Sequence, residues 1–221
     1  MNSKKTDFFW PSYTDLMTSL FFIMLVLFVL VFTKQSRQIK DLERQLAIVN
    51  AVDENLKPLK SEKSLFTYEE EYKRFKLSFD VKFNPDKSKI SSSDLENYFS
   101  TISNINRAGV KLKSIIDGLK KSKESDSKLK DVSYILVIAG YASKTGEENH
   151  NYELSYQRAL SLRNYWRTQG IDFEAPEYNN LIDLQLSGNG WGGVGRQINE
   201  ADNQRFLIQI FPKIGDIKWL E

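Results

Sequence analysis

The chain has no cysteine, one histidine and five prolines in 221 residues. Without thiols there is no disulfide framework, no thiolate nucleophile and no cysteine-bound zinc, which is compatible with an oxidising compartment without requiring one. His150 stands alone in a polar stretch, so neither a metal cluster nor a catalytic triad is available around it. A basic excess is also missing. The 31 Lys and Arg face 29 Asp and Glu, a net charge of +2, and the longest cationic runs are as short as Lys120 and Lys121. Nucleic acid, which needs clustered cations, is not an expected partner. The glycine-rich SGNGWGGVG at 187–195 lacks the Lys-Ser/Thr ending of a phosphate loop. No catalytic constellation or internal repeat is evident, and the chain is not expected to be an enzyme.

One long hydrophobic run is present. From Leu16 to Phe32 only Thr18 and Ser19 interrupt it, and everything after Thr33 reads as polar and soluble. Residues 8–32 are long enough to cross a hydrocarbon core of about 30 Å at about 1.5 Å per residue. The run ends in LVFTKQSRQ, without a small-residue cleavage pattern, so a retained single-pass anchor is expected rather than a signal peptide. Flanking charge, Lys4 and Lys5 before the span against Lys34, Arg37, Lys40 and Arg44 after it, puts the carboxy-terminal side in the cytoplasm by a simple count. Long domains translocate largely regardless of that count.

Residues 33–58 are expected to form a helical coiled-coil linker or plug region. Ile39, Leu42, Leu46, Val49 and Leu56 recur at steps of three and four, with Asp53 where another apolar residue would fall. A parallel homodimer is the expected outcome; a single amphipathic helix lying on its own domain or on the membrane surface is the alternative. Pro58 is expected to end this helix, since it lacks an amide donor.

Residues 59–221 read as a mixed α/β domain. A strand is expected around Phe75, Leu77, Phe79, Val81 and Phe83, then a turn at Asn84, Pro85 and Asp86. A helix follows, introduced by cap-type serines and carried by Leu95, Tyr98, Phe99 and Ile102, with a break or bend at Gly109. SKESDSKLKD is expected to be a loop and SYILVIAGY a buried central strand. A second helix is expected from about Asn149 to Gln169, with Leu154, Ala159, Leu162 and Trp166 inward and Gly170 as its stop. RFLIQIF is the last strand expected, and Trp191 is expected to contact glycan or pack on the sheet.

Two separated motifs carry a resemblance. WPSYTDLMTSLFFIMLVLFVL resembles the membrane segment of MotB-type stator subunits, with Tyr13, Asp15, Met17 and Thr18 on the Tyr-x-Asp-x-Met-Thr signature. IAGYASKTGEENHNYELSYQRALSLRNYWRTQGI resembles the peptidoglycan-binding motif of OmpA-like domains, with Asn151, Leu154, Ser155, Arg158 and Ala159 at the family's spacing, and NQRFLIQI at 203–210 resembles its closing strand. Together they imply a single-pass transmembrane α-helix followed by an OmpA-like, peptidoglycan-binding α/β domain.

The resemblance implies an inner-membrane protein with residues 1–7 in the cytoplasm and the OmpA-like domain in the periplasm. Two copies would stand inside a pentamer of a MotA-like multi-span subunit, and Asp15 would bind and release the translocated ion, a proton or sodium, without any cofactor. An ionisable group in a bilayer costs about 2.5–3.5 kcal/mol on insertion scales and is usually shielded by a partner or placed on an ion path. The alternative for Asp15 is a helix cap in the interfacial layer. Tyr13, Thr18 and Ser19 are candidate ion-path residues; packing of helix against helix is the other reading of Thr18 and Ser19. Asn151, Leu154 and Arg158 are the candidate peptidoglycan-binding residues, with Ser143 standing where the family carries an aspartate. That departure removes the group expected to meet a ligand ammonium, and Glu147 is a candidate substitute. A bridge to a neighbouring acid is the alternative for Arg158, and a helix cap the alternative for Asn151. The opening FFWPSYTDLMTSLFF resembles the B subunit of the Zorya anti-phage system and related OmpA-family proteins more than flagellar MotB, which would imply defence; a flagellar-type motility stator and a passive membrane-to-wall tether are the competing functions. Energy transducers of the ExbD and TolR type share the aspartate but not the OmpA-like motif.

Overall fold

The computed structural model describes residues 9–72, 74–79, 81–126, 129–130 and 132–214. Residues 1–7, expected in the cytoplasm, lie outside them. The chain divides into two units, residues 1–47 and 48–221.

Helix α1 spans Phe9–Ser61. Its apolar stretch is long and apolar enough to cross a membrane, and its side chains from Tyr13 to Phe32 are exposed. Pro58 does not end α1 as expected; it lies inside the helix. The last turn survives because Leu56 and Leu59 are buried beside it, and Ser61 Oγ donates to Lys57 O at 2.9 Å. Leu56 therefore belongs to the domain core with Ile48 and Leu59, not to a coiled-coil seam. Ile39, Leu42, Leu46 and Val49 are exposed.

The second unit is built on a five-stranded sheet in the order β1-β2-β5-β3-β4. Strands β1 (Phe66–Glu69) and β2 (Arg74–Leu77) form a hairpin, so the single strand expected there is two, and Phe83 makes only an isolated bridge to Leu95. Strand β3 (Val132–Gly140) is interior, antiparallel to β5 (Phe206–Ile214) and parallel to β4 (Ile182–Gly188). Period-two alternation sends Tyr134, Leu136 and Ile138 of β3 and Phe206, Ile208 and Ile210 of β5 into one core.

Helices α2 (Tyr98–Ser125) and α3 (Glu148–Thr168) also contribute to that core through Ile105, Leu112, Ile116, Ala159, Leu162 and Trp166. Three expectations about α2 change. Leu95 precedes it and Phe99 is 85% exposed. Its first turn of the expected loop, Ser122–Ser125, is helical. Gly109 is no break: a Cβ there would lie 2.5 Å from Trp166 Nε1, so the missing side chain admits the indole, which donates to Ile105 O at 2.9 Å. Gly170 ends α3 with a φ of +75°.

Candidate functional site

Asp15 sits in α1 beyond its first turn, so it does not cap the helix; the cap alternative fails because helical backbone already precedes it from Phe9. Thr18 and Ser19, three and four residues on, share its face. The Thr18 hydroxyl donates to Thr14 O at 2.8 Å and is thereby satisfied by the backbone one turn back. Tyr13, two residues before Asp15 and therefore on another side of the helix, is exposed.

In the second unit, α3 arranges the motif residues, and their spacing resolves into different duties. Glu147 caps α3: its carboxylate accepts from the backbone N–H groups of Asn149 and His150. That makes it the helix's anion rather than the free stand-in for the aspartate absent at 143. Asn151 is buried and is not the cap; its Nδ2 donates to Thr145 O at 2.8 Å and Glu147 O at 2.9 Å, which fixes the loop entering the helix. Ser155, fully buried, donates to Tyr152 O and accepts from Gly190 N at 2.9 Å. It ties α3 to the glycine-rich loop. The close approach needs Gly188, where a Cβ would meet Tyr156 N at 2.6 Å. Leu154 is half-buried, and Ser143 is partly exposed just beyond the end of β3.

Arg158 is different. It is 4% exposed, its guanidinium carbon lies 4.5 Å from the centre of the Phe83 ring, and Nε donates to Lys87 O at 3.2 Å. Its two terminal nitrogens have no hydrogen-bond partner among the described residues, yet they are not among the fully enclosed orphan atoms. Burial pushes its pKa down to about 10, and the Asp86 carboxylate pulls the other way. The bridge to a neighbouring acid considered for this arginine is not made as a direct ion pair.

Asp86 is the residue that the sequence did not single out. The turn at 84–87 is held by Lys87 N donating to Asn84 O at 3.1 Å, and Asp86 takes a φ of +54°, uncommon for a side chain with a Cβ. Its Oδ1 is 2.9 Å from His150 Nε2. The turn is braced from beneath by Asp94, whose Oδ2 accepts from Lys89 N at 3.2 Å while Asn84 N donates to its carbonyl at 2.8 Å. Arg158 and Asp86 therefore put an open guanidinium edge and an exposed carboxylate on one patch, while Ser143 makes no hydrogen bond to Arg158. Such a patch suits a group that carries both a carboxylate and an ammonium. The only available signal was the Pro-Asp turn, which reads as turn chemistry and nothing more.

On the opposite face of the sheet, around the glycine-rich loop, Arg74 donates to Glu69 Oε2 at 2.7 Å, to Val194 O and to Tyr141 Oη. Arg196 reaches Ala142 O and Glu200. These arginines hold loops to strands. Trp191 is partly buried, and its Nε1 has no partner among the described residues.

Comparison with known proteins fits this architecture. Residues 98–206 match the OmpA family, and the second unit is an OmpA-like α/β domain. Outer membrane protein A of Buchnera aphidicola subsp. Schizaphis graminum is 27% identical over 141 residues, 60% of this chain and 39% of that protein. The chain thus spans about two fifths of the length of the curated relative it matches. Among solved structures, a putative MotB-like protein from Desulfovibrio vulgaris is 13% identical, with 72% of this chain and 96% of that one covered and a TM-score of 0.38. The periplasmic domain of Helicobacter pylori MotB is 15% identical, with 66% and 87% covered and a TM-score of 0.33.

Proposed function

We propose that this chain fastens a membrane to peptidoglycan and works as an ion-driven stator subunit. The observation that carries the wall-binding half is Arg158, a nearly buried guanidinium whose terminal nitrogens have no hydrogen-bond partner among the described residues, beside the exposed Asp86 carboxylate. Its ligand is the diaminopimelate of a cell-wall stem peptide: the carboxylate pairs with Arg158 and the ammonium with Asp86, which supplies the acid absent at Ser143. Asn151 and Ser155 position the helix and loops around the pair, and Leu154 borders it.

Asp15 favours a stator over a passive tether. It opens an apolar, exposed helix and lies within the helix rather than at its cap. A partner bundle is then needed to shield it. In this reading two copies associate through Ile39, Leu42, Leu46 and Val49, stand inside a MotA-like pentamer in the inner membrane, and pass a proton or sodium ion by way of Asp15, with Tyr13, Thr18 and Ser19 along the path. The amino terminus is cytoplasmic and the OmpA-like domain periplasmic. The membrane motif favours a role in anti-phage defence of the Zorya type over flagellar motility.

Sedimentation of the full chain with purified sacculi tests the wall-binding half. The natural protein is expected to pellet and Arg158→Met to remain in the supernatant; equal pelleting of the two would remove Arg158 from the site.

A further inference from the structure

We infer that the groove beside Arg158, between the 88–91 segment and the adjoining edge of α3, is a subsite for the N-acetylated sugar of the same cell-wall fragment. This rests on the peptidoglycan reading of Arg158 and extends it from the peptide to the glycan.

The groove has a volume of about 510 Å³, within the usual range for small-molecule sites. One wall is a strip of α3, where Gln157, Ser161, Asn164 and Tyr165 follow at helical spacing. The other is the chain from Ser88 to Ser91, fixed to the helix by Ile90 N donating to Ser161 Oγ at 2.9 Å. The Gln157 amide, the Tyr165 hydroxyl and the Ser88 hydroxyl have no hydrogen-bond partner among the described residues. Lys89 is the one charged side chain in the lining, and no acid is present there.

That chemistry selects its occupant. Amide and hydroxyl side chains pair with the hydroxyls and acetamide of a sugar, while Ile90 and Tyr165 offer apolar surface to a ring face. A cation finds no carboxylate, and a long hydrocarbon would strand the polar lining. The groove also adjoins the peptide site directly: Lys87 O is held by Arg158, Ser88 is the next residue, and Gln157 precedes Arg158 on α3. The strip from Gln157 to Thr168 runs about 16 Å at about 1.5 Å per residue. The two residues that separate diaminopimelate from the sugar in a stem peptide span roughly 7 Å, which carries the chain from Arg158 into the groove.

The test is calorimetry on the full chain in detergent with three probes: a diaminopimelate-containing stem tripeptide, the same tripeptide on N-acetylglucosaminyl-N-acetylmuramic acid, and that disaccharide alone. The disaccharide-tripeptide is expected to bind about tenfold more tightly than the bare tripeptide, the effect of one or two added hydrogen bonds. In the double variant Gln157→Ala, Asn164→Ala the gain is expected to vanish while affinity for the tripeptide is unchanged. Equal affinities for the two peptides, or a gain that survives the double variant, overturns the inference. If the tripeptide fails to bind but the disaccharide alone binds and is lost in the double variant, the groove stands and the Arg158 reading falls. If no probe binds, both fall.

Discussion

A guanidinium taken out of water needs compensation, and Arg158 receives it from one carbonyl and one ring face. Burial takes its pKa well below the ordinary arginine range, to about 10, which corresponds to about 3 kcal/mol of destabilisation of the charged form. Because the folded value lies below the unfolded one, this cost is present in full below pH 10, shrinks as pH rises from there, and is gone above the unfolded value. Arg158→Met keeps the stem and removes the charge, so it is expected to melt no lower than the natural protein, and up to about 3 kcal/mol more stable near neutral pH. Arg158→Ala, which leaves a void, is expected to melt lower. Peptide binding by the natural protein should weaken as pH rises past about 10, where the Arg158 guanidinium and the ligand's own ammonium lose their protons; titration calorimetry across that range reads it. A charge that lowers stability and leaves donors open is a functional candidate on physical grounds. Its helical spacing was legible in the sequence. Its partner was not, because Asp86 comes from a turn more than seventy residues away and only the fold brings the two together.

Among the elements, the 84–94 segment presents the acid of the site, and Asp94 holds it there. Hydrogen bonds from the Ser93 hydroxyl first, and then from Lys89 N, keep the Asp94 carboxyl below the ordinary carboxylate range, against the opposing effect of burial. Its stabilising contribution is therefore present above the unfolded carboxylate value and is lost as pH falls through the lower folded one. Asp94→Asn is expected to weaken stem-peptide binding at neutral pH by a few-fold while the melting temperature falls only slightly, as read by calorimetry and thermal scans. The helices make a second point. Gly109 reads as a helix break in the sequence, yet α2 continues through it, and Trp166 occupies the space its side chain would take. Gly109→Ala, favourable by local propensity, is expected to destabilise the domain by about 1–3 kcal/mol in denaturant unfolding. Pro58 follows the same logic, since burial of Leu56 and Leu59 outweighs one missing hydrogen bond. Periodicity identified β3, α3 and β5 because each buries one face along its whole length. It missed the hairpin at 66–77, whose strands are only four residues each, and it missed β4, although Ile182, Leu184 and Leu186 alternate there with Asp183, Gln185 and Ser187.

At the scale of the whole chain, an apolar helix and an OmpA-like domain are joined in one polypeptide. The apolar run could be read from the sequence alone, since only Thr18 and Ser19 interrupt it from Leu16 to Phe32, and the structure leaves those side chains exposed. What would shield Asp15 could not be read, because the proposed stator reading places that shield in other chains. The seam at Ile39, Leu42, Leu46 and Val49 predicts a dimer: Leu42→Lys with Leu46→Lys should convert the detergent-solubilised protein from dimer to monomer in light scattering, with the melting of the OmpA-like domain unchanged. In the proposed stator the same chain both holds the wall and carries the ion. The direct measurement is ion flux in membranes that contain this chain and a multi-span partner, with the natural Asp15 and with Asp15→Asn, in samples shown to hold the complex and to bind sacculi equally. Flux in the first and none in the second is the predicted result. Equal flux in both, with the complex intact, would contradict it.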